Sequence, residues 1–123
     1  YAGMAALDTP ENYFHDVVTE YKGRRDALVS GLQNIGIDVQ PPKGAFYLAV
    51  PLPVDDADHF AKWLVSDFDI DGETLCVAPL AGFYSTPGLG RNEVRMAYVL
   101  EKEVIERCVK ILGAGLEAYK KIN

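Results

Sequence analysis

The chain is poor in the residues that build metal centres and cross-links. It has two cysteines, two histidines and one tryptophan in 123 residues. His15 and His59 lie far apart in the sequence, and neither belongs to a Cys/His group with metal-ligand spacing, so a metal site is not expected. Cys76 and Cys108 sit in apolar stretches and read as buried free thiols, in keeping with a cytoplasmic compartment; the sequence leaves a disulfide between them open. Basic residues are scarce relative to acidic ones, twelve against eighteen, for a net charge of −6. That balance argues against nucleic-acid binding, which calls for a basic patch or stripe. No run approaches the roughly 18 apolar residues of a membrane span, and nothing has the pattern of a signal peptide. No Gly-Lys-Ser or Gly-Lys-Thr occurs, and there is no Gly-x-Ser-x-Gly elbow, so a P-loop and a serine hydrolase are excluded.

What is there is the composition of an ordinary globular domain, 49% hydrophobic and 24% charged, long enough to bury its own core. The length predicts one domain over residues 1–123. The chain opens at Tyr1 on an apolar segment, YAGMAAL, as if in mid-helix. It is therefore read as a piece of a longer protein, the alternative being a mature chain left by processing.

The pattern predicts the order helix, strand, helix, strand, strand, helix. DTPEN at 8–12 reads as a helix start, with Asp8 or Thr9 as cap and Pro10 at the first helical position. Phe14, Val18, Tyr21, Leu28, Leu32 and Ile35 then recur at spacings that suit one helical stripe, with Arg25 on the same stripe, until Gly36 ends it. After QPPKG, AFYLAV reads as a strand closed by Pro51 and Pro53. Asp55 or Asp56 caps a second helix whose Ala57, Phe60, Trp63 and Leu64 face inward. DFDIDGE is a polar turn around Gly72. LCVAP (75–79) and VRMAYV (94–99) read as strands joined by a long loop, which leaves hairpin or crossover geometry open. Residues 101–121 form the last helix, with Val104, Ile105, Cys108, Leu112, Leu116 and Tyr119 on one face. The expected fold class is α/β in the two-layer α+β sense: a small, mostly antiparallel three-stranded sheet covered by helices, with a long N-terminal helix.

One charged residue, Arg95, stands inside the apolar run VRMAYV. A charge within a strand requires a partner if it is buried, and a guanidinium is the side chain best shaped to grip a carboxylate through two parallel hydrogen bonds. Arg95 is thus expected at a sheet edge or cleft, aimed at an anion. The bland alternative sends it to solvent, to Glu93 or to a helix acid. The neighbouring GFYSTPGLG loop lacks a dinucleotide fingerprint, because Glu93 stands where the third glycine would fall. It reads as a surface loop, with a lid over a site as the functional alternative. The acidic pairs Asp55-Asp56 and Asp69-Asp71 read as a helix start and a turn rather than an acid and a base.

Together these segments resemble the C-terminal small domain of class I aminotransferases, the fold-type I enzymes that use pyridoxal phosphate. YAGMAAL and YKGRRDALVSGLQNIGI resemble the family's long helix joining large and small domains. PPKGAFYLAV resembles its Pro-x-Gly-x-Phe-Tyr strand, LCVAPLAGFY its Val-x-Pro-Gly turn with a following Phe, and NEVRMAYV the strand that carries an arginine for the substrate α-carboxylate. The resemblance implies a transferase of amino acid metabolism. It moves an amino group between an amino acid, aspartate being the nearest type, and a 2-oxo acid. It implies that Arg95 clamps the α-carboxylate and that the ring of Phe46 lies near the substrate. It implies pyridoxal 5'-phosphate bound by a large domain outside this chain, a homodimeric cytoplasmic parent, and no nucleic-acid or membrane partner. None of the lysines, from Lys22 to Lys121, follows a Ser-x-x-Lys stretch, so no residue here is assigned to cofactor binding or catalysis and the chain alone is expected to be inactive. The family's Pro-Gly is Pro79-Leu80 here, which puts the turn in question or passes the glycine's task to Gly82. The rival reading is a stand-alone amino-acid-binding regulatory or dimerisation module.

Overall fold

A computed structural model describes residues 1–122. Its helices are α1 (Ala2–Leu7), α2 (Glu11–Asn34), α3 (Ala57–Asp67) and α4 (Lys102–Tyr119), and its strands are β1 (Tyr47–Pro51), β2 (Ala78–Pro79) and β3 (Glu93–Ala97). The sheet order is β1-β3-β2 with both pairings antiparallel, so β3 is central and the long 80–92 connection is that of a hairpin. This is the expected two-layer α+β arrangement.

The strands alternate. Leu48 and Val50 of β1 and Val94 and Met96 of β3 are buried on one face. Against them pack Leu28 and Leu32 of α2, Phe60 and Leu64 of α3, and Ile105, Val109, Leu112 and Leu116 of α4, in one continuous core. The cross-strand register, Ala49 opposite Arg95 and Val50 opposite Val94, leaves Tyr47, Ala49, Arg95 and Ala97 exposed on the face that no helix covers.

The opening helix is broken. α1 ends at Leu7 and α2 begins at Glu11, with no side-chain cap from Asp8 or Thr9; Pro10 itself is the N-cap. Pro10 lacks an N–H and disfavours helical geometry at Thr9, so the chain turns there. Gly36, at φ +83°, closes α2 as expected. The Gly36 N–H donates to the Gln33 carbonyl at 3.0 Å and the Ile37 N–H to that of Leu32 at 3.0 Å, the paired bonds of a Schellman motif. Asp56, rather than Asp55, caps α3, accepting from the His59 N–H at 3.0 Å.

Several sequence expectations need correction. Only Ala78 and Pro79 of LCVAP pair with β3; Leu75 and Val77 run alongside without pairing because their side chains go into the core. Phe14 and Val18, placed on the inward stripe of α2, are half-exposed, as is Val104 of α4. α2 lies against α4 only along its C-terminal half, where Leu28, Val29 and Leu32 are buried. Cys76 is exposed and Cys108 half-buried, and both are free thiols. Burial pushes the Cys108 thiol up from its usual value, which keeps it protonated and inert at neutral pH. Leu80 takes an ordinary φ of −99°, and Gly82 has no positive φ, so the turn uses neither a glycine at 80 nor a substitute at 82.

Candidate functional site

Arg95 is placed by the central strand. The residues opposite it on both sides are small, Ala49 on β1 and Ala78 on β2, so the guanidinium stands over a floor of methyl groups. It is exposed, not buried in the strand as its apolar neighbours suggested, and it is at the centre of the sheet rather than an edge. Alternation explains this: Val94 and Met96 take the core face and Arg95 the other.

Two aromatic rings flank it. The guanidinium carbon lies 5.2 Å from the centre of the Tyr47 ring and 5.3 Å from that of Phe83, both within cation–π range. Tyr47 reaches Arg95 from β1. Phe83 comes from a 3-10 turn, Ala81–Phe83, in the loop after β2. Neither ring offers the guanidinium a hydrogen-bond acceptor in this stacking geometry, and Arg95 makes no hydrogen bond or ion pair with the described residues. Its N–H fork is held in position and left open to an anion.

Phe46 precedes β1 and is half-exposed. Its ring meets Tyr47 edge-to-face at 5.5 Å, so Phe46, Tyr47 and Arg95 form a chain of contacts. The backbone behind Phe46 is fixed from the other side. Buried Tyr98 donates its N–H to the Phe46 carbonyl at 2.9 Å and its hydroxyl to the Ala45 carbonyl at 2.9 Å. Ala45 has φ +62°, a left-handed geometry that costs a non-glycine residue energy. Arg25 adds a hydrogen bond to the Pro42 carbonyl at 3.3 Å. Burial pushes the Tyr98 phenol up from its usual value, so it remains a donor at neutral pH. Phe46, Arg25, Lys22 and Lys43 line an open groove of about 440 Å³ beside α2. Arg95 lines a separate hollow of about 360 Å³ with Ala78, Ala97 and Cys76. The two expected site residues are therefore joined through the Tyr47 ring rather than through one cavity.

The two residues that embrace Arg95, Tyr47 and Phe83, escaped the sequence reading. For Tyr47 the signal is present, since alternation puts it on the face opposite Leu48. For Phe83 there is none, because it sits in a loop whose path periodicity does not describe.

The cofactor expected from the resemblance finds no seat among these residues. No lysine lines the hollow at Arg95, and Lys22 and Lys43 open into the mainly aliphatic and aromatic groove beside α2. Pyridoxal phosphate requires a Schiff-base lysine together with an acid for its ring nitrogen and donors for its phosphate, and the described residues do not assemble that set. What the arrangement supplies is one oriented cation, aromatic walls and an open face. Among the described residues no cluster of His, Cys, Asp or Glu is fit to hold a metal ion, and no helix is long and apolar enough to cross a membrane.

Comparison with known proteins accounts for this arrangement. LL-diaminopimelate aminotransferase 2 of Trichormus variabilis is 42% identical over 116 residues, covering 94% of this chain and 28% of its own length. The glutamate-pyruvate aminotransferase of Escherichia coli K12 is 31% identical over 121 residues, covering 95% of this chain and 27% of its own length. The crystal structure of a probable N-succinyldiaminopimelate aminotransferase from Thermus thermophilus superposes with a TM-score of 0.73 at 28% identity, over 92% of this chain and 28% of that one. The chain thus spans a little over a quarter of the length of its relatives. The model of the family "Aminotransferase class I and II" matches residues 1–112, and the chain belongs to that family.

Proposed function

We propose that this chain is the C-terminal small domain of a pyridoxal-phosphate-dependent aminotransferase, and that Arg95 binds the α-carboxylate of the amino acid and of the 2-oxo acid. The single observation that carries this reading is a guanidinium on the open face of the sheet, braced by Tyr47 and Phe83, with no anionic partner of its own. A carboxylate that accepts two N–H bonds from this fork is fixed in direction as well as position, which orients the bond to be broken at the neighbouring carbon. Phe46 forms an apolar wall beside the same substrate. The cofactor of this family supplies the electron sink for the chemistry; it is held by the large domain, and no residue of this chain bonds to it. The whole enzyme works as a homodimer in the cytoplasm.

Amino-group transfer is the reaction class the relatives support. The donor is an amino acid with a polar or charged side chain, and aspartate and LL-diaminopimelate are the first to test. The decisive experiment is turnover by the full-length, cofactor-loaded enzyme with each donor and a 2-oxo acid acceptor. Transfer of the amino group is expected, with no turnover by residues 1–123 alone. Binding of free amino acids by residues 1–123 in the absence of cofactor, without transfer in the full-length protein, would instead favour a regulatory module.

A further inference from the structure

The strand that presents Arg95 also carries an anion that should quench it. Glu93 lies two residues before Arg95 on β3, on the same side of the pleat, roughly 6.5 Å away by strand rise. A flexible arginine spans that gap easily. Yet the two do not pair. The Glu93 carboxylate accepts a hydrogen bond from the Tyr84 hydroxyl at 2.6 Å, while Arg95 lies between Tyr47 and Phe83.

Phe83 and Tyr84 are consecutive. The 3-10 turn that ends at Phe83 sends one ring to the cation, and the next residue, its C-cap, sends a phenol to the carboxylate. The position of Tyr84 is enforced from below. Gly90, at φ +69°, lies directly under its ring, and a Cβ there would overlap the ring carbons. The loop is anchored at its end by the Glu93 N–H, which donates to the Gly90 carbonyl at 3.0 Å, and by the Leu80 N–H, which donates to the Glu93 carbonyl at 2.9 Å.

From this geometry we infer that Tyr84 is a positioning residue that sequesters the Glu93 carboxylate and so keeps Arg95 available to the substrate carboxylate. Tyr84 acts through Glu93 and does not touch substrate. The inference rests on the assignment of Arg95 given above. Without the phenol, Glu93 swings toward the guanidinium and competes with every substrate for the same N–H fork. Such competition weakens binding without altering the chemical step, which raises KM and leaves kcat in place.

The test uses the full-length, cofactor-loaded enzyme and reads KM and kcat for L-aspartate, LL-diaminopimelate and 2-oxoglutarate. Tyr84→Phe is expected to raise KM for all accepted substrates by about threefold to tenfold, the range set by the strength of an exposed ion pair, with kcat within about twofold. The double variant Tyr84→Phe/Glu93→Gln is expected to return KM to within about twofold of the parent, because the neutral amide no longer competes for the arginine. A merely structural role for Tyr84 predicts no such rescue. An unchanged KM in Tyr84→Phe, or a raised KM that Glu93→Gln does not restore, overturns the inference. Arg95→Ala, measured beside them, separates the two levels. If it too leaves KM and kcat unchanged, the carboxylate assignment fails; if it is crippled while Tyr84→Phe is silent, only the role of Tyr84 fails.

Discussion

The two faces of one three-stranded sheet obey opposite rules. On the covered face Leu48, Val50, Val94 and Met96 are buried and interlock with three helices. On the other face Tyr47, Ala49, Arg95 and Ala97 are exposed, and the one cation among them has aromatic neighbours but no anion. The same strands serve both, since neighbouring residues of β3 alternate between core and site. Stability is thus concentrated on one side of the backbone and recognition on the other, separated by the thickness of a pleat. A substitution on either side is expected to affect one property and spare the other.

The largest effect should come from breaking the covered face. Phe60 of α3 is fully buried and stacks at 6.1 Å on Trp63 and edge-on at 5.1 Å to Tyr119. Phe60→Ala should cost about 3–5 kcal/mol of stability, from lost burial and the cavity left behind, seen as a lower urea midpoint. At a temperature where the variant stays folded, its KM should be close to that of the parent. A KM shift as large as that of an Arg95 substitution would mean that the two faces are not separable.

A smaller effect sharpens the comparison through pH. The hydrogen bond to Glu93, with burial and the nearby negative charge, raises the Tyr84 phenol above its usual value, which is about 10. A raised acid favours the folded arrangement while it is protonated. The contact is therefore fully present below the ordinary tyrosine range and is lost as pH rises through the higher folded-state value. KM for the carboxylate substrates should be insensitive to this phenol through neutrality and climb only in strongly alkaline solution. Tyr84→Phe should remove that alkaline rise. A rise that persists in the variant would assign it to another group.

Much of the covered face was legible in the chain. Helical spacing identified Leu28 and Leu32, and period-two alternation identified Leu48 with Val50 and Val94 with Met96, because burial is what those periods record. The same logic overreached where a helix outruns its partner. Phe14 and Val18 continue the stripe of α2 but are half-exposed, since a pattern of side chains does not say how far the opposing surface extends. The open face was legible only in part. Arg95 stood out as a charge in an apolar strand, but its apolar neighbours pointed to burial, whereas alternation turns it outward. Tyr47 follows from the register between β1 and β3, which links residues some fifty positions apart and leaves no local mark. Phe83, Tyr84 and Gly90 belong to a loop whose shape comes from a 3-10 turn and positive φ angles. Local propensity flags the glycines of such a loop but does not trace its path.

The most direct test of the division between the faces is Arg95→Ala in the full-length, cofactor-loaded enzyme, assayed with several amino acids alongside its urea unfolding midpoint. Loss of two charge-assisted hydrogen bonds, each of about 1.5–2 kcal/mol, predicts a fall in kcat/KM of roughly 10²- to 10³-fold. The fall should be similar for every donor, because all carry the α-carboxylate, and the unfolding midpoint should stay close to that of the parent. An unchanged kcat/KM, or a loss that merely follows a collapse in stability, would contradict the assignment of the open face to substrate.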